Sequence, residues 1–217
     1  MMRGGPVIAV DGPAAAGKGT LARKLAEALG LPYLDTGLLY RAVGRLALDE
    51  GQDPAQPAQQ FAERLTPADM QRTDLRTPEV AQAASKVAAQ PAVRAALVET
   101  QRRFAAERGA VLDGRDIGTA IFPDADVKLF ITASPATRTR RRFLQNGGNP
   151  DAPDAQARLR EMEEALCARD KADASRDSAP MCIADDAYVI ETDTLDAQAV
   201  LAEALRFARE RLAVTRG

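Results

Sequence analysis

Val7-Ile8-Ala9-Val10-Asp11-Gly12-Pro13-Ala14-Ala15-Ala16-Gly17-Lys18-Gly19-Thr20 is the stretch that decides the fold. Its first four residues form a short, continuous apolar run bounded by turn formers, the pattern of a strand buried on both faces in a parallel sheet. The next nine, 12–20, contain Gly-x4-Gly-Lys. Lys18 to Leu29 follows as a helix, with Leu21, Leu25, Ala28 and Leu29 at helical spacing and Gly30 and Pro32 ending it. Strand, glycine-rich turn and helix in that order make an anion hole: successive N–H groups and the positive end of the helix face one point, and a lysine adds a point charge. The motif therefore reads as a nucleoside triphosphate cradle, with Gly12, Pro13, Ala14, Ala15, Ala16, Gly17, Lys18, Gly19 and Thr20 as its ATP-binding residues. Gly19 stands where Ser or Thr usually offers magnesium a hydroxyl. Because Mg²⁺ dehydrates reluctantly, the ion is expected to be held mainly by nucleotide oxygens and water, with no direct protein ligand and with Thr20 and Asp11 nearby.

Working outward, the apolar runs at 110–112, 127–131 and 187–190 are each bracketed by helical patterns, and 33–34 adds a brief strand. This alternation predicts a three-layer α/β/α core around a parallel sheet. Helices are expected at 36–50, 56–65, 91–107, 135–146, 154–168 and 195–212, the helix at 135 being started by Ser134-Pro135. Residues 51–80 and 147–180 fall outside the alternation and read as mobile appendages to one domain: a core of 1–35, 108–146 and 181–217, an acceptor flap of about 36–107 and a lid of about 147–180.

Composition narrows the function. The 217 residues are 46% hydrophobic, enough for one substantial core, but only 4% aromatic with no Trp, which favours helices over a β-sandwich. A net charge of -2 supplies no general field for a nucleic-acid backbone. Histidine is absent, so imidazole bases and His-metal sites are ruled out and chemistry must run on Lys, Arg, carboxylates and a bound ion. Cys167 and Cys182 lack metal or redox spacing and read as structural. The opening residues 1–5 lead too quickly into the first strand for a signal peptide, and no apolar run approaches a membrane span, so a cytoplasmic protein without membrane partners is expected.

The acceptor side lies in Asp35-Thr36-Gly37-Leu38-Leu39-Tyr40-Arg41, with Thr36 at the cap position, and in Asp113-Gly114-Arg115-Asp116-Ile117-Gly118-Thr119, at the carboxyl end of a strand, where doubly wound sheets bind ligands. Together with the loop at 12–20, Val80-Ala81-Gln82-Ala83-Ala84-Ser85 with Val93-Arg94, and Arg169-Asp170 with Asp173 and Arg176, these segments make the chain resemble bacterial-type cytidylate kinases from end to end. The resemblance implies transfer of the γ-phosphoryl group of ATP to CMP or dCMP with Mg²⁺. It further implies that Arg41, Arg115 and Arg176 grip the acceptor phosphate, that Ser85, Arg94 and Asp116 read cytosine, and that Asp173 and Arg169 lie near the ribose. On the same resemblance Thr36 is expected to join the acceptor site, and Lys18, Arg115, Arg169 and Arg176 are expected to form the catalytic cage.

Cytosine offers a donor at N4 and acceptors at N3 and O2, complementary to a carboxylate and a guanidinium. Phosphoryl transfer through a loose, charge-spread transition state needs positioning and positive charge more than a strong base. Arg138 and Arg142, one turn apart on the helix leading to the lid, are further candidates for ATP contact. The segment 66–74 is too short for the strand-rich insertion of the bacterial pattern, so a smaller, mostly helical flap is expected. A monomer is expected. Another small-molecule kinase of the same fold, or a nucleotide sensor without turnover, remains an alternative.

Overall fold

The computed structural model describes residues 4–215; residues 1–3, which the leader argument used in part, and 216–217 lie outside it. Five parallel strands, β1 (Val7–Asp11), β2 (Tyr33–Asp35), β3 (Ala110–Asp113), β4 (Val127–Thr132) and β5 (Tyr188–Glu191), lie in the order β2-β3-β1-β4-β5. The central strand β1 is buried throughout and pairs Val7 with Ala110 and Ile8 with Val127. Its residues alternate between two cores, because successive side chains of a strand point to opposite faces. Val7 and Ala9 join Leu39, Val43, Phe61, Val93 and Leu97 on one face. Ile8 and Val10 join Leu21, Leu25, Ala204 and Ala208 on the other.

The helices supplying these layers are α1 (Lys18–Leu29), α2 (Thr36–Asp49), α3 (Gln59–Glu63), α4 (Pro78–Ala88), α5 (Pro91–Ala106), α6 (Pro135–Gln145), α7 (Ala155–Ala174) and α8 (Ala197–Thr215). Most match the expected ranges within a few residues. The sequence reading gives no helix at 78–88. There Thr77 accepts a hydrogen bond from the Val80 amide, Pro78 occupies the first turn, and Val80, Ala83, Ala84 and Val87 are buried. The signals are a capping threonine followed by proline, the same pair that marks α6 at Ser134-Pro135. The α7 helix runs six residues past its expected end at 168 and so carries Arg169, Asp170 and Asp173 on one continuous helix.

Between α3 and α4 the chain makes two short 3-10 turns, Asp69–Gln71 and Thr73–Arg76, with no strand among these described residues. The segment is braced by charge rather than by a sheet. Arg72 donates to Asp74 and to Asp49, and Arg45 bridges Asp49 from the neighbouring turn of α2. Each exposed pair contributes little alone, but a connected set loses less side-chain entropy per contact.

Gly44, in the middle of α2, explains how closely that helix approaches α4. A Cβ there would stand 2.9 Å from Ala83 Cβ and 3.0 Å from the Ala84 nitrogen, so the two helices cross backbone to backbone. Gly44→Val is expected to wedge them apart and to destabilise the protein by about 2–3 kcal/mol, an overpacking cost. A urea midpoint unchanged from the parent would contradict this packing.

Candidate active site

The loop between β1 and α1 is shaped by its backbone. Gly12 has φ 139, and a Cβ on it would lie 2.0 Å from the Ile131 carbonyl oxygen, so any side chain would push β1 away from β4. Ala15, at φ 60, holds a left-handed conformation that costs a non-glycine residue about 1 kcal/mol or more, and Gly17 at φ 96 completes the turn. No side chain caps α1, which leaves its first N–H groups directed at the loop's concave side. Lys18 is 6% exposed, and its Nζ donates to the Pro13 carbonyl at 2.9 Å. Burial first, and the neighbouring Arg115 second, push its pKa down to about 7, against the pull of Asp113 and Asp11.

Three carboxylates end three adjacent strands: Asp35 on β2, Asp113 on β3 and Asp11 on β1, with Asp35 and Asp113 in register. Asp11 accepts hydrogen bonds from the Ile117 amide at 2.8 Å and the Gly118 amide at 2.7 Å. Both of its oxygens are thus engaged in fixing the turn at Ile117–Ile121, which directly follows Arg115 and Asp116. The carboxyl is nonetheless pushed up to about 6, because burial outweighs those two bonds. Tyr33 donates its hydroxyl to Asp113 Oδ2 at 2.7 Å, and burial with the facing Asp35 raises the Asp113 pKa. Thr36 is the first residue of α2 and not its cap, which is Asp35; the buried Thr36 hydroxyl donates to the Asp113 carbonyl at 2.7 Å and ties β3 to α2.

Beyond these strand ends, arginines converge. Asp173 on α7 accepts from Arg115 Nε at 3.0 Å and from Arg176 at 2.8 Å, and it lies 4.0 Å from Arg169 Nε. Arg41 donates to the Leu75 carbonyl at 2.8 Å; burial, then the charge of Arg142, lowers its pKa. Arg169 is lowered to about 10 by burial, then by Arg115, with Arg41 and Arg142 also contributing. These mutual repulsions place Arg41, Arg115, Arg142 and Arg169 in one region, which Lys18 also feels through Arg115 and Arg169. Concentrated cations that oppose one another's charge make a site whose electrostatic demand is for an anion.

Beside this cage Arg94 and Asp116 form an ion pair, 4% and 5% exposed, with the Arg94 guanidinium 5.7 Å above the Tyr40 ring. Burial raises the Asp116 pKa, while Arg94, Arg176 and Arg115 work against that rise. Ser85, on α4, donates its hydroxyl to the Ala81 carbonyl at 3.2 Å. Arg138, an expected ATP contact, is buried beside the phosphate loop: its guanidinium donates to the Ala133 carbonyl at 3.0 Å and the Ala14 carbonyl at 3.2 Å and pairs with Asp170 at 2.6 Å. Arg142, by contrast, is only partly buried, donates to Gln145 and adds its charge to the cage.

For a cation, the donor set fits a hydrated ion and no direct multidentate cage. Among the described residues no group of three or more His, Cys, Asp and Glu could hold a metal. A Cβ at Gly19 would sit 3.2 Å from Asp113 Oδ2, so a hydroxyl-bearing side chain there would crowd the Tyr33–Asp113 pair. Thr20 is exposed at the start of α1, and Asp35 with Asp113 offers carboxylate oxygens of the hard type Mg²⁺ accepts.

Sequence reasoning did not single out Tyr33 or assign a role to Asp170, and it left Asp11 beside the ion. Nothing local marks these roles, because each partner lies far along the chain: 80 residues for Tyr33–Asp113 and 106 for Asp11–Ile117.

Residues 8–210 match the family model of cytidylate kinase. The chain is 58% identical over 207 residues to a cytidylate kinase of Granulibacter bethesdensis, spanning 94% of this chain and 97% of that one. With the cytidylate kinase of Acidiphilium cryptum it shares 56% over 196 residues, 88% of this chain and 89% of the relative. A crystal structure of an uncharacterized protein from Eubacterium ventriosum superposes with a TM-score of 0.53 at 15% identity, over 94% of this chain and 98% of that one, and shares the fold. One model covering nearly the whole described chain, and relatives identical at more than half of the aligned positions, settle the matter: this chain belongs to the cytidylate kinase family.

Proposed function

We propose that the protein transfers the γ-phosphoryl group of ATP to CMP or dCMP in the cytoplasm, as a monomer, serving pyrimidine nucleotide metabolism. The observation that carries this reading is the buried Arg94–Asp116 pair beside a cage of arginines and a phosphate loop. A buried ion pair is weak evidence for stability, since apolar residues of similar volume often do as well. Its placement next to an anion site supports a recognition role.

In this reading the loop amides and Lys18 hold the β and γ phosphates of ATP, while Arg41, Arg115 and Arg176 grip the acceptor phosphate. Asp173, which balances Arg115 and Arg176, would lie near the acceptor ribose. Magnesium, held chiefly by phosphate oxygens and water near Thr20 and the Asp35–Asp113 edge, would supply further charge neutralisation when bound. Arg169 and Arg115 add fixed positive charge where it accumulates in the transition state, in a setting that excludes water once the flap (36–107) and lid (147–180) close. Asp116 would accept from the cytosine N4 amino group, and Arg94 would donate to its ring acceptors. Uracil would set a carbonyl against the carboxylate, leaving buried groups unpaired.

Arg115→Ala is expected to lower kcat with CMP by about 10³-fold or more, as for other clamping arginines in phosphoryl transfer, with ATP affinity held within a few fold. A nucleotide sensor would instead show no CMP turnover in the parent chain. Asp116→Asn should shift the CMP:UMP ratio of kcat/KM toward UMP by about tenfold or more, since an amide can donate to the uracil carbonyl. Steady-state rates with CMP, dCMP, UMP and AMP check this, and an unchanged ratio would remove Asp116 from base recognition.

Lys18 supplies a pH test. With its pKa at about 7, its charge is present below that pH and is lost above it. Bound triphosphate favours the charged form, so ATP should move the titration of the Lys18 ammonium upward, read by heteronuclear NMR. A lysine titrating at its ordinary value in the ligand-free protein would contradict the burial argument.

A further inference from the structure

Arg138 lies on the helix facing the phosphate loop, yet its guanidinium is committed to protein groups. Nε donates to the Ala133 carbonyl just before α6, and Nη1 donates to the Ala14 carbonyl and lies 2.6 Å from Asp170 Oδ2. The side chain is 5% exposed, so reaching a bound nucleotide would mean breaking all of these contacts in a desolvated setting. These partners belong to three different parts of the machinery. Ala14 is next to the left-handed Ala15 of the phosphate loop, Asp170 lies on α7, and Ala133 follows β4.

Asp170 depends on this contact. Its Oδ1 is buried without a hydrogen-bond partner, which leaves Arg138 as the cation paired with its charge among the described ion pairs. One residue earlier, Arg169 Nε is also buried without a hydrogen-bond partner; it lies 4.0 Å from Asp173 and feels the charges of Arg115, Arg41 and Arg142. Adjacent residues on a helix project about 100° apart, given ~3.6 residues per turn, so pinning Asp170 fixes the rotation of α7 and the direction in which Arg169 points. A planar guanidinium suits this task because it can hold a carbonyl and a carboxylate in fixed relative directions at once.

We propose that Arg138 is a positioning residue: through Ala14 and Asp170 it locks the lid helix to the phosphate loop and thereby aims Arg169 at the transferring phosphoryl group. This rests on the kinase reading above. The contact joins the loop that cradles the donor to the helix that carries Arg169 and Asp173 on the acceptor side. ATP seated on the loop would in this way favour the lid orientation in which Arg169 is productive.

The test is a double-mutant cycle of Arg138→Met, Asp170→Asn and the two combined, with kcat, the KM values for ATP and CMP, and Tm measured for each. Each single variant is expected to lose kcat roughly tenfold or more with KM for ATP within about threefold, and the double variant to be no worse than the poorer single, as for two groups acting as one unit. Asp170→Asn is isosteric and carries the test if Arg138→Met does not fold.

Losses that multiply in the double variant would overturn the proposal. So would a loss confined to KM for ATP, which marks a direct nucleotide contact, or full activity in Asp170→Asn. Hydrogen exchange at the α7 amides gives a readout independent of turnover: ATP alone should slow it in the parent chain and not in Asp170→Asn. A parent chain that never phosphorylates CMP yet shows this slowing would refute the kinase reading and leave the latch standing. Equal slowing in parent and variant would remove the latch.

Discussion

Like charges must be held together at the carboxyl edge of this sheet, and the rest of the site follows from how that is done. Burial and the neighbouring charges of Arg115 and Arg142 lower the pKa of Arg41 and Arg169, and burial with Arg115 lowers that of the buried Lys18; all five cations are at least partly buried, where repulsion is less screened than in water. The chain answers with carboxylates placed one by one: Asp173 under Arg115 and Arg176, Asp170 on Arg138, Asp116 on Arg94, and Asp113 with Asp11 near Lys18.

The sheet supplies the frame for this balance. Parallel strands bring their carboxyl ends to one edge, so residues from β1, β2 and β3 that lie far apart in the chain become neighbours. Asp11 is the clearest case. It ends the strand that enters the phosphate loop, yet its carboxylate fixes the turn after Arg115 and Asp116, so the loop and that turn are tied to one strand end. Its burial, at a cost visible in the raised pKa, is the physical expense of that coupling.

Much of this arrangement is legible in the sequence because it is local. The β1 run, the glycine turn, Lys18 and the heptad-like apolar spacing of α1 are contiguous, and the expected helix matches the observed bounds. The short, mostly helical segment between α2 and α5 also follows from a stretch too polar and too brief for strands. The helix at 78–88 is absent from that reading, although Thr77-Pro78 announces it, because its Ala-rich face is buried only once α2 lies against it through Gly44. The added length of α7 was hidden for the opposite reason: few of its residues are buried and its faces differ little in polarity, so no apolar period marks its end.

The sequence by itself determined the cradle and the chemical inventory: a phosphate loop, a set of arginines and carboxylates, and no imidazole. Those are matters of residue type and short spacing. Only the tertiary structure decided which charge serves which partner. Arg138 and Arg142 are one turn apart on the same helix and alike in sequence, but Arg138 is buried against Ala14 and Asp170 while Arg142 stays partly open beside Arg41. The difference comes from packing. One side chain meets a carbonyl and a carboxylate brought there by β1 and α7, and a guanidinium's role follows from the partners that remain within its reach after desolvation.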